Sequence, residues 1–188
     1  RRIASLPDKY ELDMPPIKSQ GSEGSCVAFA LAYAARSFHL HRDENSSYFN
    51  TGNNLNHNKI FSPEYLYNIA KQPGDCATAG MNLYNALDYL KGLGVATWQS
   101  MPYSSTNGCA TLPNNLQTYN ASLYKIDNFY RITDISAQNI KEYIYVGYPI
   151  VFGAIVDSLF WRKGNFVWNS RTGKDMGGHA MVICGWDD

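Results

Sequence analysis

A glycine-rich turn that runs directly into an alanine-rich helix is the feature that most constrains this chain. Residues 20–25 contain two glycines, which favour a tight turn, and Cys26 follows at once. From Cys26 to about Phe38 apolar residues recur at helical spacing and most other positions are alanine, which predicts a helix buried on nearly every side. Ser25 is its predicted N-cap. Gln20 precedes Cys26 by six residues, so an amide side chain is expected near a thiol at the start of a buried helix.

A histidine far along the chain supplies the counterpart of this cysteine. The glycine pair at 177–178 leads into His179, and residues 179–186 predict an apolar strand. The thiolate is the nucleophilic form of cysteine, and the partial positive charge of a helix N-terminus favours it. A neighbouring imidazole can take the proton of the thiol. The backbone N–H of Cys26 and the side chain of Gln20 can then donate to the oxyanion that forms when sulfur attacks an acyl carbonyl.

Helical patterns dominate the first part of the chain and strand patterns the second. Ser62-Pro63-Glu64 combines an N-cap, a proline at the first helical position and an acid in the first turn. The further predicted helices cover about residues 62–70, 82–91 and 137–146, and the predicted strands cover about residues 124–132, 149–156, 166–168 and 179–186. Residues 94–115 are expected to form turns. This order predicts an α+β protein of two lobes, a helical one at 1–117 and a β-rich one at 118–188, with a cleft between them.

Composition excludes several classes of protein. The formal net charge is zero, so no broad attraction to nucleic acid or to an anionic membrane is expected. No apolar run approaches the roughly 20 residues of a membrane span. The four cysteines lie far apart with no histidine in register, so no metal site is expected, and no cofactor either. The remaining histidines lie in or beside a polar loop and are expected to be solvated; they are His39, His41 and His57.

Taken together, these motifs resemble the papain-like cysteine peptidases, and the bacterial members more than the plant or animal ones. The resemblance rests on the segment from Gln20 to Phe29, on Gly178-His179-Ala180, on the helix start at Ser62 and on Met101-Pro102-Tyr103. It implies a fold with a helical left lobe, a β-barrel-like right lobe and a catalytic cleft between them. It also implies a thiol protease in which Cys26 is the nucleophile, His179 the general base and then acid, and Gln20 an oxyanion donor.

The resemblance further implies where a peptide or protein substrate binds. Gly80 matches a glycine whose backbone pairs with extended substrate, although a plain turn explains it equally well. Gly153 and Ala180 match positions that line an apolar pocket, with Met81 at its edge. The resemblance also implies a Cys76–Cys109 disulfide, with Cys184 left as a buried thiol. An oxidised bridge and the absence of an initiator methionine lead us to expect a processed protein that is secreted, periplasmic or at the cell surface.

Several positions depart from the family pattern. Val27 replaces the usual tryptophan after the nucleophile, and Glu23 replaces a cysteine that normally anchors a disulfide. The family's asparagine that orients the histidine follows it by roughly twenty residues, whereas this sequence ends at Asp188. We therefore expect either a separate C-terminal fragment that completes the fold or a truncated form of a longer protein, and we expect the chain by itself to be a poor catalyst. Two other interpretations are a degenerate, non-catalytic papain-like binding module at the cell surface and, fitting less well, a transglutaminase or amidase.

Overall fold

The computed structural model describes residues 5–105, 108–162 and 167–188. Its longest helical segment begins at Cys26 and continues to Glu44, as helix α1 (Cys26–Ala28), a π-helical stretch (Phe29–Arg36) and helix α2 (Ser37–Glu44). Asn45 adopts the left-handed conformation, with φ 47°, and ends the helix. The predicted helix is thus confirmed and extends beyond Phe38. Its alanines, which include the fully buried Ala28 and Ala32, let neighbouring elements approach closely.

Two further helices of the first lobe begin at the side-chain caps that their sequences supply. The Ser62 hydroxyl accepts a hydrogen bond from the Tyr65 amide at the start of helix α3 (Pro63–Ala70). The Asn82 side chain accepts from two amides of helix α4 (Leu83–Gly92). Gly92 remains inside α4, and the chain turns at Gly94, whose φ of +82° suits glycine. Both predicted helices are therefore present, and the turning glycine is Gly94 rather than Gly92.

Helix α5 (Asn115–Ser122) follows a short 3₁₀ turn (Gly108–Ala110), and our sequence prediction missed both. The sequence of α5 is mostly polar and leaves Leu116 and Tyr119 exposed, so it lacks the apolar periodicity that identifies a helix. A capping box begins it, because the Asn114 and Gln117 side chains each bond the backbone amide of the other. The helix crosses residue 117, where we divided the chain, and that division stays a prediction.

The second lobe is built around an antiparallel pair of strands. Helix α6 (Ala137–Tyr145) leads into strand β2 (Ile150–Asp157), which pairs with strand β3 (Asp175–Ile183). The register places Gly153 opposite Ala180 and Ala154 opposite His179. Strand β1 (Lys9–Glu11) pairs with strand β4 (Gly185–Asp187) in a separate sheet. Both sheets have two strands.

The α+β class is confirmed, but the β-rich lobe is smaller in strand content than predicted. Residues 124–132 and residues 167–168 form no strand, and Phe166 lies outside the described residues. Within the described ranges the strands form two separate pairs rather than a closed barrel. Alternating tyrosine and isoleucine favour a strand locally, but a strand also needs a partner edge, and none pairs with 124–132.

The main hydrophobic core lies in the helical lobe and reaches the start of α1. Its largest fully buried side chains include Phe61, Tyr65, Leu66 and Tyr67. Burial of one such side chain contributes about 1.5–3 kcal/mol. Cys26, Met81 and Ala180 pack against the edge of the same cluster, so the core positions residues from both lobes. None of the helices in the described part of the chain is long and apolar enough to cross a membrane.

Candidate active site

Cys26 is the first residue of the long helical segment. Its thiol is partly buried against the main core and is free of any disulfide. As the first helical residue, Cys26 has a backbone N–H that lacks an intrahelical acceptor. Ser25 occupies the N-cap position, but its side chain makes no cap hydrogen bond, which corrects our prediction. Its hydroxyl instead lies 2.7 Å from the Tyr103 hydroxyl.

Gln20 lies at the other end of the turn, with its side chain folded back onto it. Its Nε2 atom donates to the backbone oxygen of Glu23 at 2.8 Å. A carboxamide carries two N–H donors, so this bond orients the group and leaves the second donor available. The Tyr103 hydroxyl donates to the Gln20 backbone oxygen at 2.7 Å while it also contacts Ser25. Tyr103 therefore ties both ends of the turn together.

The segment at residues 76–80 lies directly against this turn. The Gly24 amide donates to the Cys76 oxygen at 2.8 Å. A Cβ atom at Gly24 would lie 2.6 Å from the Ala79 oxygen, closer than such atoms approach, so only glycine fits there. The Tyr67 hydroxyl lies 2.6 Å from the same oxygen and 2.9 Å from the Cys76 oxygen. This packing brings Gly80 and Met81 next to the turn at residues 20–25.

The disulfide at the base of this segment joins Cys76 to Cys109, with the two Cα atoms 5.6 Å apart. Cys184 is a free, partly buried thiol between β3 and β4. The Glu23 carboxylate and the two disulfide sulfurs form a compact group, with ligand atoms within 4.8 Å of one another. Sulfurs that are bonded to each other are not thiolates, so this group does not suit a metal in the oxidised protein.

Strand β3 brings His179 to the helix that carries Cys26, because α1 packs against β3. Ala180 contacts the same core cluster as Cys26 and Met81. Gly153, opposite Ala180, would have only the His179 oxygen near an added Cβ, at 4.0 Å, so the space above it is open. Helix α1, strand β3 and the 76–81 segment therefore bring the predicted catalytic and substrate-binding residues to one region.

Two aromatic rings flank His179. Its ring centroid lies 5.7 Å from that of Phe160 and 5.4 Å from that of Trp161. Burial lowers the pKa of His179 from its ordinary value. The imidazole is therefore neutral at pH 7 and able to accept a proton. Within the ranges that the structure describes, its side chain makes ring contacts but no hydrogen bond.

Asp157 anchors the loop that carries Phe160 and Trp161. The sequence analysis did not identify this residue. This fully buried carboxylate accepts hydrogen bonds from the amides of Leu159, Phe160 and Gly173 and from the Trp168 indole. Burial opposes its charged form, but the hydrogen bonds outweigh burial and hold the pKa of Asp157 below its ordinary value. The sequence signal was an acid immediately after a buried apolar strand, where the chain must turn.

We expect Asp157→Asn to destabilise the fold by about 2–3 kcal/mol. Both carboxylate oxygens accept hydrogen bonds from N–H groups, and in the variant an amide NH₂ would replace one of these oxygens and leave its donors without an acceptor. The pKa of Asp157 is depressed, so its contribution is present above the ordinary aspartate pKa and is lost as pH falls through the lower folded value. Urea denaturation at several pH values measures both effects. Asp88→Asn, on the exposed face of α4, is the matched control. Equal stability of the two variants would contradict this role.

The other histidines lie elsewhere and are less solvated than predicted. Burial lowers the pKa of His39 to about 4. His41 lies 3.1 Å from the Asp13 carboxylate and stacks on Tyr48. His57 stacks on Trp98. All three are partly buried; His39 and His41 lie on α2, which extends beyond its predicted end, and His57 lies in the loop that follows.

Known proteins resemble this chain in sequence and in fold. The profile of the papain family of cysteine proteases matches residues 7–188. A cathepsin L-like proteinase of Fasciola hepatica is 22% identical over 187 residues, which cover 97% of this chain and 52% of that protein. The chain thus spans about half the length of this curated relative.

Solved structures resemble it over nearly its whole length. Xylellain, a cysteine protease from Xylella fastidiosa, superposes with a TM-score of 0.78 at 25% identity, over 98% of this chain and 72% of that one. The bromelain protease from Ananas comosus, solved with the E64 inhibitor, gives a TM-score of 0.66 at 16% identity, over 97% and 77% of the two chains. These similarities confirm the two-lobe papain-like fold, in which the strands of the described residues form two pairs and not a closed barrel. The chain therefore belongs to the papain family of cysteine proteases.

Proposed function

We propose that this chain is an endopeptidase that hydrolyses peptide bonds through a thioester on Cys26. The observation that supports the proposal is that α1, which begins at Cys26 with its free thiol, packs against β3, which carries the neutral imidazole of His179. Family membership supports a hydrolase of peptides or proteins. Assignment of the individual steps to these residues is our inference from their positions and chemistry.

In the first half of the reaction, His179 takes the thiol proton and the Cys26 sulfur attacks the peptide carbonyl carbon. The carbonyl oxygen becomes an oxyanion, which accepts hydrogen bonds from the Cys26 N–H and from the Gln20 amide. The intermediate collapses when the C–N bond breaks, and His179 gives its proton to the leaving amine. In the second half His179 deprotonates a water molecule, which attacks the thioester. The C–S bond then breaks, the carboxylic acid product leaves, and His179 returns the proton to the Cys26 sulfur.

In this proposal the substrate lies extended across the turn at residues 20–25. A Cβ atom at Gly80 would meet nothing within 4 Å, so the backbone there is open to a peptide strand. Ala180 and Gly153 are small and oppose each other across β2 and β3, which leaves room for a side chain next to Met81. These features support a preference for an apolar residue near the scissile bond.

We expect Gln20→Ala to lower kcat by roughly 10²–10³ with little change in KM, because the lost donor serves the oxyanion rather than the ground state. Steady-state kinetics on a fluorogenic peptide separates the two constants. Gln138→Ala removes an exposed amide on α6 and serves as the control. A large rise in KM with an intact kcat would show that Gln20 binds substrate instead.

One experiment separates the peptidase from the alternative, a non-catalytic binding module. The protein is treated with an epoxide inhibitor of the E64 type and digested, and the modified cysteine is located by mass spectrometry. A peptidase forms one adduct, on Cys26, and loses its turnover of peptides in proportion to labelling. An unmodified Cys26 together with peptide binding but no turnover favours the binding module. The Cys76–Cys109 disulfide supports placing this function in an oxidising compartment, in a secreted, periplasmic or cell-surface protein.

A further inference from the structure

A buried carboxylate without a hydrogen-bond partner among the described residues lies in the turn at residues 20–25, directly before Cys26. Glu23 is 2% exposed, and neither of its carboxylate oxygens has a hydrogen-bond partner among the described residues. An ionised carboxylate in such a place loses its hydration without compensation, which is among the most costly arrangements in a folded protein. A protonated carboxyl loses far less on burial, because it carries no charge.

The surroundings of Glu23 make its ionisation still less favourable. Helix α3 contributes the buried carboxylate of Glu64 and the hydroxyl of Tyr67. Tyr103 approaches from the loop after Thr97, the Cys76–Cys109 disulfide lies alongside, and the Cys26 thiol follows in the chain. In the described part of the chain, no lysine, arginine or histidine pairs with the Glu23 carboxylate.

The net effect of these surroundings is to raise the pKa of Glu23. Burial raises its pKa, and the nearby charge of Glu64 raises it further. The Tyr103 hydroxyl and the Cys109 amide lie close enough to favour the ionised form, but neither makes a hydrogen bond of normal geometry to the carboxylate, and burial outweighs them. Burial also raises the pKa of Glu64. Glu23 therefore keeps its proton at pH values where an exposed glutamate has already ionised.

The backbone of Glu23 holds the side chain that we assign to the oxyanion. The Glu23 carbonyl accepts the hydrogen bond of the Gln20 Nε2 atom at 2.8 Å. Its neighbour Gly24 is fixed to the Cys76 oxygen, and Tyr103 holds the Gln20 backbone. The buried side chain of Glu23 and the carbonyl that holds the Gln20 amide therefore belong to the same residue of one short, tightly held turn.

We propose that Glu23 is a positioning residue that keeps the Gln20 amide in place only while its own carboxyl is protonated. As pH rises, the carboxyl ionises and turns outward to water, its backbone carbonyl turns with it, and the Gln20 donor leaves the oxyanion position. Hydrolysis then fails at higher pH although Cys26 and His179 are unchanged. This role rests on the proposed function of Gln20 in peptide hydrolysis.

The first test is the pH profile of kcat/KM for the full chain and its variants. Glu23→Gln and Glu23→Met both carry neutral side chains of similar length, so one serves if the other does not fold. We expect either variant to keep its activity at least one pH unit further into the alkaline range. One unit above the wild-type midpoint, that shift amounts to a variant about five- to tenfold more active than the wild type. Glu142→Gln, a neutralised carboxylate on the exposed face of α6, should leave the profile unmoved.

A second measurement separates this role from an effect on the catalytic pair. Alkylation of Cys26 by iodoacetamide needs the thiolate but no oxyanion donor. Its pH profile should be the same in wild type and in Glu23→Gln. A shift of the alkylation profile together with that of hydrolysis would overturn the inference, because Glu23 would then act on the ionisation of Cys26.

Two further outcomes distinguish a wrong role for Glu23 from a wrong proposed function. If the wild type hydrolyses the peptide and neither Glu23 variant shifts the alkaline limb of its pH profile, the proposed role of Glu23 is wrong. The proposed peptidase function is then unaffected. No turnover by the wild type at any pH, with Cys26 unlabelled by the epoxide, overturns the proposed function and this role with it. Hydrogen–deuterium exchange at residues 20–25 should increase with pH beyond the intrinsic rate in wild type and not in Glu23→Gln.

Discussion

Replacement of Cys26 by alanine is expected to abolish peptide hydrolysis, with a loss of kcat on the order of 10⁵-fold. Every covalent step of the proposed reaction passes through its sulfur, and alanine offers no nucleophile. The loss should come without a loss of fold, because the thiol lies only at the edge of the main core. Turnover of a fluorogenic peptide and thermal unfolding, measured on the same sample, test both statements.

Cys184→Ala is the matched control, since Cys184 is the other free cysteine of the chain. Burial raises the pKa of Cys184, and the nearby Glu11 charge adds to this effect, so its thiol stays protonated and unreactive at neutral pH. Its removal should leave turnover within a factor of about two, as for a residue outside the site. Hydrolysis that survives Cys26→Ala but fails in Cys184→Ala would show that Cys184, and not Cys26, is the nucleophile.

The second large effect is expected for His179→Gln, which should lower kcat by about 10⁴-fold because glutamine keeps a polar side chain but cannot transfer a proton at neutral pH. Burial lowers the pKa of His179, so the imidazole remains a competent base below the usual histidine range. Wild-type activity should therefore fall on the acid side only below about pH 6.5. Steady-state kinetics across the pH range provides both readouts.

His57→Gln is the control for this variant. His57 stacks on Trp98 in the helical lobe and lies outside the predicted site, so its replacement should leave kcat nearly unchanged. An acid limb that persists unchanged in His179→Gln would show that another group is the base. Equal losses in the two histidine variants would point to a general loss of structure rather than to a missing base.

Local sequence signals determined much of the fold because the elements concerned carry their own start signals. Ser62 and Pro63 begin α3 as predicted, since the hydroxyl cap and the fixed φ of proline act within one turn. The alanine-rich helix from Cys26 follows from helical periodicity, and strand β2 follows from a continuous apolar run. The motifs around Gln20, Cys26 and His179 carried the resemblance to the papain family, which the family match confirms.

Only the tertiary structure decided which strands pair and which polar groups are buried. Residues 124–132 have strand-forming side chains but no partner edge, and α5 forms on a capping box without an apolar stripe. Glu23 lies in a polar turn and Asp157 at the end of an apolar strand, and both are buried. The Glu23 carboxylate has no hydrogen-bond partner among the described residues, whereas the Asp157 carboxylate accepts hydrogen bonds from Leu159, Trp168 and Gly173. Propensity acts between near neighbours, whereas burial and pairing depend on residues that are far apart in the chain. The sequence alone therefore predicted the family and the two residues that we propose as nucleophile and base, Cys26 and His179, whereas the packing of distant segments set their surroundings.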